Sequence, residues 1–412
     1  MRQVVAAAIG GGWGSECATP PEDQAVTIIR GTDLDAIRLG DAASCPRRFE
    51  TAKRLRKRAL VPGDIVVEIS GGNQKTGQWT GRSALITEAV VSASDGTLMP
   101  ASFCRKVEVD RAVAEPGFVA YHLREMWLSG RTHSYENHST GISNFRFEEF
   151  LDRELIWLPD LAEQRRIAQV LGAFDEKIES NRRLASLLEE TAATLFRARF
   201  IDFVGVTDLV DSEIGPIPRG WTVRPLRDLV DHLRGRAGGS ELPYIGLDDM
   251  PRGSTVLDQW KTDGAPSGAG TAFATGDLLF GKLRPYFAKV GVAPIDGRCS
   301  TEILVLRPRQ AEWFGLGIGH LSSPQFIAHC VAVSTGTRMP RAEWAVAGDF
   351  KIAVSPDPIA LEFDRVARSA YAHIGALIHE SRTLAEIRDA LLPKLVSGEI
   401  RVSDAEEVVE AL

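Results

Sequence analysis

The segment CPRRFETAKRLRKRAL, Cys45 to Leu60, holds seven Lys or Arg against one Glu. Cations at that density suit one chemistry above others, contact with nucleic-acid phosphates, which supplies most of the affinity for DNA and makes it salt-dependent. Arg47, Arg48, Lys53, Arg54, Arg56 and Lys57 are the candidates for that contact, although the same run also reads as a solvated basic helix. Further along, GKLRPYFAKVG interleaves cations with aromatics at Lys282, Arg284, Tyr286 and Lys289. Two Ser-Thr-Gly segments add small donors, Thr140 with Asn144 and Arg146, and Thr337 with Arg338 and Arg341. Arg can pair with guanine and Asn with adenine through two hydrogen bonds in the major groove. SGGNQKTGQWTGR, Ser70 to Arg82, reads as a loop between two strands that could approach a nucleic-acid backbone, with Asn73, Lys75 and Arg82 facing it.

Other chemistries find no footing. IGGGWG, Ile9 to Gly14, follows an apolar run as a cofactor-binding loop would, but lacks the helix start and the acidic residue about 20 positions on; a tight turn around Trp13 fits better. Ser70 to Arg82 does not have the spacing that cradles a nucleotide phosphate. There is no His-Glu-x-x-His, no Gly-x-Ser-x-Gly and no Asn-Pro-Pro-Tyr. The five cysteines stand singly, without a Cys-x-x-Cys pair, and read as reduced, mostly buried thiols. No catalytic group, metal site or cofactor is expected in this chain.

Over 412 residues, 44% are apolar and 25% charged, the ordinary balance of a globular protein with room for two or three domains. The net charge of −7 argues against a chain coated in positive potential, so cationic surfaces must be local. The apolar stretches are far shorter than the roughly 20 residues of a membrane span, and a cytoplasmic location is expected.

The sequence repeats itself. IIRGTDL (Ile28 to Leu34) is matched by YIGLDDM (Tyr244 to Met250), and PGDIVVEIS (Pro62 to Ser70) by TGDLLFGKL (Thr275 to Leu283). STGISNFRFEEF (Ser139 to Phe150) is matched by STGTRMPRAEW (Ser334 to Trp344). The fourth landmark is a long helical pattern after Pro159, matched by another after Pro356 and ending near Gly398. Four landmarks in one order argue for duplication of a unit made of a strand-rich domain and a long helix.

In the first helix Ile167, Leu171, Phe174, Ile178, Asn181, Ala185, Leu188, Ala192 and Leu195 are spaced alternately four and three apart, the seam of a coiled coil. The second carries a looser seam through Ala370, Ile374, Leu377, Ser381, Leu384, Leu391 and Leu395, and Leu195 aligns with Leu395. Asn181 and Ser381 are polar positions that could fix register. Gly205 to Gly220 reads as a linker, and Trp221 as an anchor at the start of the second domain.

These residues resemble the specificity subunit of type I restriction-modification systems. LPDLAEQRRIAQVLGAFDEKIESNRRL is similar to that family's central region through Pro159, Glu163, Gln164, Ile167, Ala168, Asp175, Ile178 and Asn181. IPRGW resembles the start of its second recognition domain, and LLPKLVSGEIRV its closing segment. The second helix begins DPIALEFDRVA and lacks the Glu-Gln pair, which puts a partner contact there in doubt.

The resemblance implies an α+β fold with an internal pseudo-repeat, in which two strand-rich target-recognition domains are separated by two long antiparallel coiled-coil helices. The expected divisions are recognition domain 1 at residues 1–156, a central helical region at 157–204, a linker at 205–220, recognition domain 2 at 221–355, a C-terminal helical region at 356–402 and an acidic tail at 403–412. The chain would be non-catalytic and would read a bipartite site on double-stranded DNA. Its helices would dock two methyltransferase subunits, which carry S-adenosylmethionine, and through them restriction subunits. A scaffold that uses its heptads for assembly alone, or a DNA-reading subunit of another defence system, would share much of this pattern.

Helices of about 40 residues each span roughly 60 Å, so the coiled coil would act as a ruler between the half-sites. Deleting one heptad from both helices is expected to shorten the unread gap and leave both half-sites intact; methylation sequencing showing an unchanged gap would sink the ruler.

Overall fold

The computed structural model describes residues 1–72, 79–137, 143–235, 241–262, 266 and 270–405. The chain divides into two units, Met1–Ser180 with Ser381–Leu412, and Asn181–Glu380. The first long helix, Leu161–Phe196, and the second, Asp357–Ser397, each contribute one half to each unit.

Unit 1 contains β1 (Val5–Gly10), β2 (Glu22–Ile29), β3 (Arg47–Thr51), β4 (Ile65–Glu68), β5 (Ser70–Gly72), β6 (Ser83–Leu85), β7 (Thr97–Pro100), β8 (Cys104–Val109), β9 (Glu136–Asn137) and β10 (Ser143–Phe145). They form sheets of order β1-β8-β4-β6, β3-β2-β7 and β5-β10-β9. Unit 2 contains β11 (Leu209–Val210), β12 (Ile217–Pro218), β13 (Thr222–Pro225), β14 (Val230–Leu233), β15 (Tyr244–Ile245), β16 (Thr271–Phe273), β17 (Leu278–Gly281), β18 (Val290–Val292), β19 (Gly297–Cys299), β20 (Ile303–Pro308) and β21 (Lys351–Val354). Its sheet β14-β20-β17-β18 repeats the antiparallel four-strand order of unit 1. Its parallel pair β15-β19 repeats the parallel pair β2-β7.

The landmarks recur because they do the same physical work. In each Gly-Asp turn the glycine takes a left-handed φ, +96° at Gly63 and +87° at Gly276, where a Cβ would be strained. The following Asp accepts a backbone N–H from three residues back, Val61 to Asp64 at 2.7 Å and Ala274 to Asp277 at 2.8 Å. A cation from the neighbouring strand balances each buried carboxylate, Lys106 at 3.1 Å and Arg307 at 2.6 Å. The turn then opens β4 and β17, whose residues are buried throughout. The first landmark works likewise: Asp33 accepts from Arg30 N at 2.8 Å, and Asp249 from Gly246 N at 2.7 Å.

The long helices run antiparallel within each unit. In unit 1, Ile167, Leu171, Phe174 and Ile178 share a core with Leu384, Leu392 and Leu395. In unit 2, Ala185 packs with Ile374 and Leu377, half-buried Leu188 leans on them, and Phe196 packs with Phe363. Asn181 is 2% exposed, and its amide donates to Glu380 at 2.8 Å.

Three readings need correction. Leu195 is 45% exposed and Phe196 takes the buried place, so Leu195 does not match the fully buried Leu395. A straight helix turns once per 3.6 residues, so a 3.5-residue stripe drifts off the seam unless the helices keep supercoiling. Leu391 is half-buried, and Leu392 takes the core position beside it. The segment read as a linker carries the β11-β12 hairpin, registered Leu209 with Pro218 and Val210 with Ile217. Trp221 anchors as expected, its ring 5.6 Å from Phe200 and 5.4 Å from Phe203.

The departure at the second helix is compensated. Gln164 of the Glu-Gln pair is 1% exposed, and its carbonyl accepts from Glu115 N at 2.9 Å, just before the helix Pro116–Leu128. In unit 2 the Asp364 carboxylate does this work, accepting from Gly315 N at 2.8 Å in the helix Phe314–Ser322. The Gln therefore faces inward.

Arg388, absent from the sequence seam, fills the step between Leu384 and Leu392 with its side chain 8% exposed. It pairs with Asp175, which also accepts from Tyr121 Oη at 2.7 Å and lies 3.4 Å from Arg124. Asp389 pairs with Arg388 at 2.9 Å and Arg124 at 3.3 Å. Burial pulls both guanidinium groups down; the carboxylates outweigh it at Arg388, which is raised, but not at Arg124, which is lowered. Burial and the adjoining Asp175 carboxylate push the Tyr121 phenol up. Removing one partner of such a pair strands a buried charge. Arg388→Ala is expected to cost about 3 kcal/mol, with a coupling to Asp175→Leu in a denaturation double-mutant cycle; additive effects would mean that the pair does not hold the helices.

Candidate nucleic-acid interface

The basic run folds as expected for a surface. Arg47 and Arg48 lie on β3, and the helix Ala52–Arg58 follows, started by Thr51 Oγ1, which accepts from Arg54 N at 3.2 Å. This helix buries none of its residues. The acids nearby divide the cations into two groups. Arg54 lies 3.4 Å from the buried carboxylate of Glu50 and 3.6 Å from Glu22, and Arg58 lies 4.0 Å from Glu50. Arg47 pairs with Asp95 and Arg48 with Glu16, both at 3.3 Å. Lys53, Arg56 and Lys57 are exposed and make no ion pair among the described residues.

In each unit the residues just after the Gly-Asp strand pair with a segment further along the same unit. In unit 1, β5 pairs with β10, Asn144 opposite Ser70, and β10 pairs in turn with β9. Phe145 N donates to Ile69 O at 2.9 Å, fixing β10 to the residue after the Gly-Asp strand. In unit 2, Ala342 N donates to Lys282 O at 3.0 Å, the equivalent link, and Arg284 N donates to Pro340 O at 2.8 Å. Chain segments remote in sequence, Ile69 with Phe145 and Lys282 with Ala342, are thus joined in each unit. Asn73, Lys75 and Thr140 lie outside the described residues.

Several candidates on these faces are committed to internal pairs. Arg82 is turned inward, a correction to its reading as a DNA contact: its Nε and Nη2 both sit 3.0 Å from Glu68, with Asp35 at 3.6 Å. A guanidinium holding a buried carboxylate in this way cannot leave without stranding it. Arg341 grips Glu302 at 2.9 Å, Lys282 reaches Glu343 at 3.2 Å, and Arg146 pairs with Glu149 and donates to Ser134 O at 2.9 Å. Lys289 donates to Leu247 O, and burial lowers its ammonium.

Asn144, Thr337 and Arg338 are exposed. Tyr286 is 51% exposed at the tip of the turn Pro285–Phe287. Arg284 and Ala288 flank that turn with left-handed φ of +52° and +47°, a conformation that L residues adopt at a cost. Sequence reasoning missed Arg252, whose guanidinium covers the Phe287 ring at 3.9 Å, because it is distant in sequence from the turn it supports. It also missed the stack of Trp79 on His133 at 3.6 Å.

Among the described residues no group of three or more His, Cys, Asp or Glu is placed to hold a metal ion. Burial pushes the thiols of Cys45, Cys104, Cys299 and Cys330 up to about 12, far from a reactive thiolate. No helix among the described residues is long and apolar enough to cross a membrane.

A duplicated α+β architecture, with paired long helices and one composite loop face in each unit, defines the class of protein. No family model matches the chain. It is 24% identical over 282 residues to the type I restriction enzyme MjaIX specificity subunit of Methanocaldococcus jannaschii, a match covering 60% of each chain. It is 21% identical over 318 residues to the type I restriction enzyme HindI specificity subunit of Haemophilus influenzae, covering 59% of this chain and 68% of that one. The match thus spans only about 60% of the archaeal relative's length. The type I restriction-modification S subunit from M. genitalium shares the fold, with a TM-score of 0.52 at 16% identity, covering 96% of this chain and 94% of that one. In sequence and in fold the chain is similar to type I restriction-modification specificity subunits.

Proposed function

We propose that the chain is the DNA-specificity subunit of a type I restriction-modification complex. It contributes no catalytic group: unit 1 reads one half of a bipartite target, unit 2 the other, and the long helices dock two methyltransferase subunits and, through them, restriction subunits. The observation that carries this reading is the repeat itself, because two units share one four-strand sheet order, and each hydrogen-bonds the residue after its Gly-Asp strand to a distant segment, Ile69 to Phe145 and Lys282 to Ala342. A duplicated reader suits a two-part site, and the similarity to named specificity subunits supports DNA as what is read. S-adenosylmethionine belongs on the methyltransferase partner in this reading. The proposed setting is cytoplasmic.

Adenine methylation mapped across the genome of a host expressing the cognate methyltransferase, with and without this chain, is expected to show a split motif only when the chain is present. If the subunits co-purify and no motif arises, the chain is an assembly scaffold and the DNA reading fails.

Among the basic residues, Arg56 and Lys57 make no ion pair with any described residue, whereas reversing Arg54 would set a second negative charge against buried Glu50. Arg56→Glu with Lys57→Glu is therefore expected to weaken DNA binding by the complex about tenfold or more and to lower the salt dependence by about one unit per lost phosphate contact. Unchanged affinity at moderate salt would return the basic helix to a plain solvated surface.

A further inference from the structure

The glycine cluster before β2 has no part in the function proposed above, yet the fold holds it beside the basic run. Gly11 N donates to Cys104 O at 3.0 Å and Gly12 N to Pro100 O at 2.9 Å. Ser15 and Phe49 exchange backbone hydrogen bonds at 2.8 and 2.9 Å, tying the end of the loop to β3. A Cβ on Gly11 would meet Ala101 O at 2.1 Å, and one on Gly12 would meet Arg58 Nη1 at 2.8 Å. Gly14 has a φ of +67°, and its Cβ would meet Phe49 O at 2.5 Å. The loop is thus seated beside Arg58 of the basic helix and Arg48 of β3, with Gly11 and Gly14 pinned by backbone contacts that admit no side chain.

The side chain this loop displays is Trp13, which is 43% exposed. Large aromatics are normally highly buried, so a Trp held outward by a pinned backbone is a poor investment for stability alone. The Arg48 guanidinium lies 5.1 Å from the ring centroid, a cation-π contact that orients the ring. Arg47 and the exposed Lys53, Arg56 and Lys57 belong to the adjoining strand and helix. The acids that face this surface are Glu16 on Arg48, Asp95 on Arg47, and Glu50 with Glu22 on Arg54. The Arg47–Asp95 and Arg48–Glu16 pairs lie at the surface and contribute little to stability, whereas Arg54 stays on the buried Glu50 carboxylate. An apolar ring framed by cations matches the surface of duplex DNA, where phosphates flank the sugars and base edges of a groove.

We infer that Trp13 is a specificity-determining contact of unit 1, packing its ring against deoxyribose and base edges of one half-site while the β3 and helix cations hold the flanking phosphates. This rests on the specificity-subunit reading. In that contact Arg48 is a positioning residue that keeps the ring turned toward the groove.

The test uses the assembled complex of this chain with its methyltransferase subunits, carrying Trp13→Ala or Trp13→Phe. Trp13→Ala is expected to lower affinity for the cognate duplex about tenfold or more, the order of effect of losing one specific contact in a half-site. Affinity for a scrambled duplex should change less than about twofold. The methylation map should relax in one half-site, with the other half-site and the gap unchanged, and Trp13→Phe should retain most of the wild-type pattern. Co-purification and thermal unfolding report assembly and folding separately. Unchanged cognate affinity and motif, equal losses on cognate and scrambled DNA, or weakening of both half-sites would each overturn the inference. A wild-type complex that yields no split motif would overturn the reading beneath it, a result visible before any variant is compared.

Discussion

Pairing of the two long helices is the constraint on which the fold depends. A 36-residue helix with one apolar stripe has no stable home in water until that stripe meets another surface, and most helical stability in proteins comes from such packing. Here each half of the first long helix meets the opposite half of the second inside one unit. There the pair also meets the unit's own sheet domain: Phe118 joins the seam in unit 1, and Phe196 and Phe200 join the core of unit 2. The helices are therefore built into both domains.

Polar groups along the seam give this pairing its specificity. Apolar contacts alone tolerate a slip of one helical turn, but Asn181 opposite Glu380 and Arg388 opposite Asp175 do not, because a slip would leave buried charge and amide groups without partners. The neighbouring acids and bases extend the same logic outward. Glu189 accepts from Ser254 and Thr255 Oγ1 at 2.7 Å each, tying the first long helix to a loop of unit 2.

The surface chemistry follows from how unevenly the cations are used. Arg82 and Arg307 hold carboxylates that the fold has removed from water, and Arg341 grips the half-buried Glu302, so they serve the structure. Lys53, Arg56 and Lys57 make no ion pair among the described residues and keep the reach of a mobile charge. A net charge of −7 is compatible with a local cationic surface, because Lys53, Arg56 and Lys57 sit together on one short helix. Such local fields govern encounter with a polyanion more than the total does.

The sequence by itself determined the duplication and the helical stripes, because these are local signals. A Gly-Asp turn needs its glycine for backbone geometry and its carboxylate for an N–H three residues back, and both lie within a few positions. Helical periodicity likewise placed Ile167 to Asn181 on one face correctly. Only the tertiary structure decided which polar residues are spent inside. Nothing near Arg82 in sequence shows that Glu68 will be buried beside it, and Arg388 enters the seam only because Asp175 waits across the helix pair, 213 positions away. Phe196 displaced Leu195 for a similar reason, since the late register of a straight helix is set by what it packs against. Trp13 looked like part of a turn until β3 and the basic helix were folded beside it. Charge pairing and exposure depend on distances between remote segments, which no local pattern records.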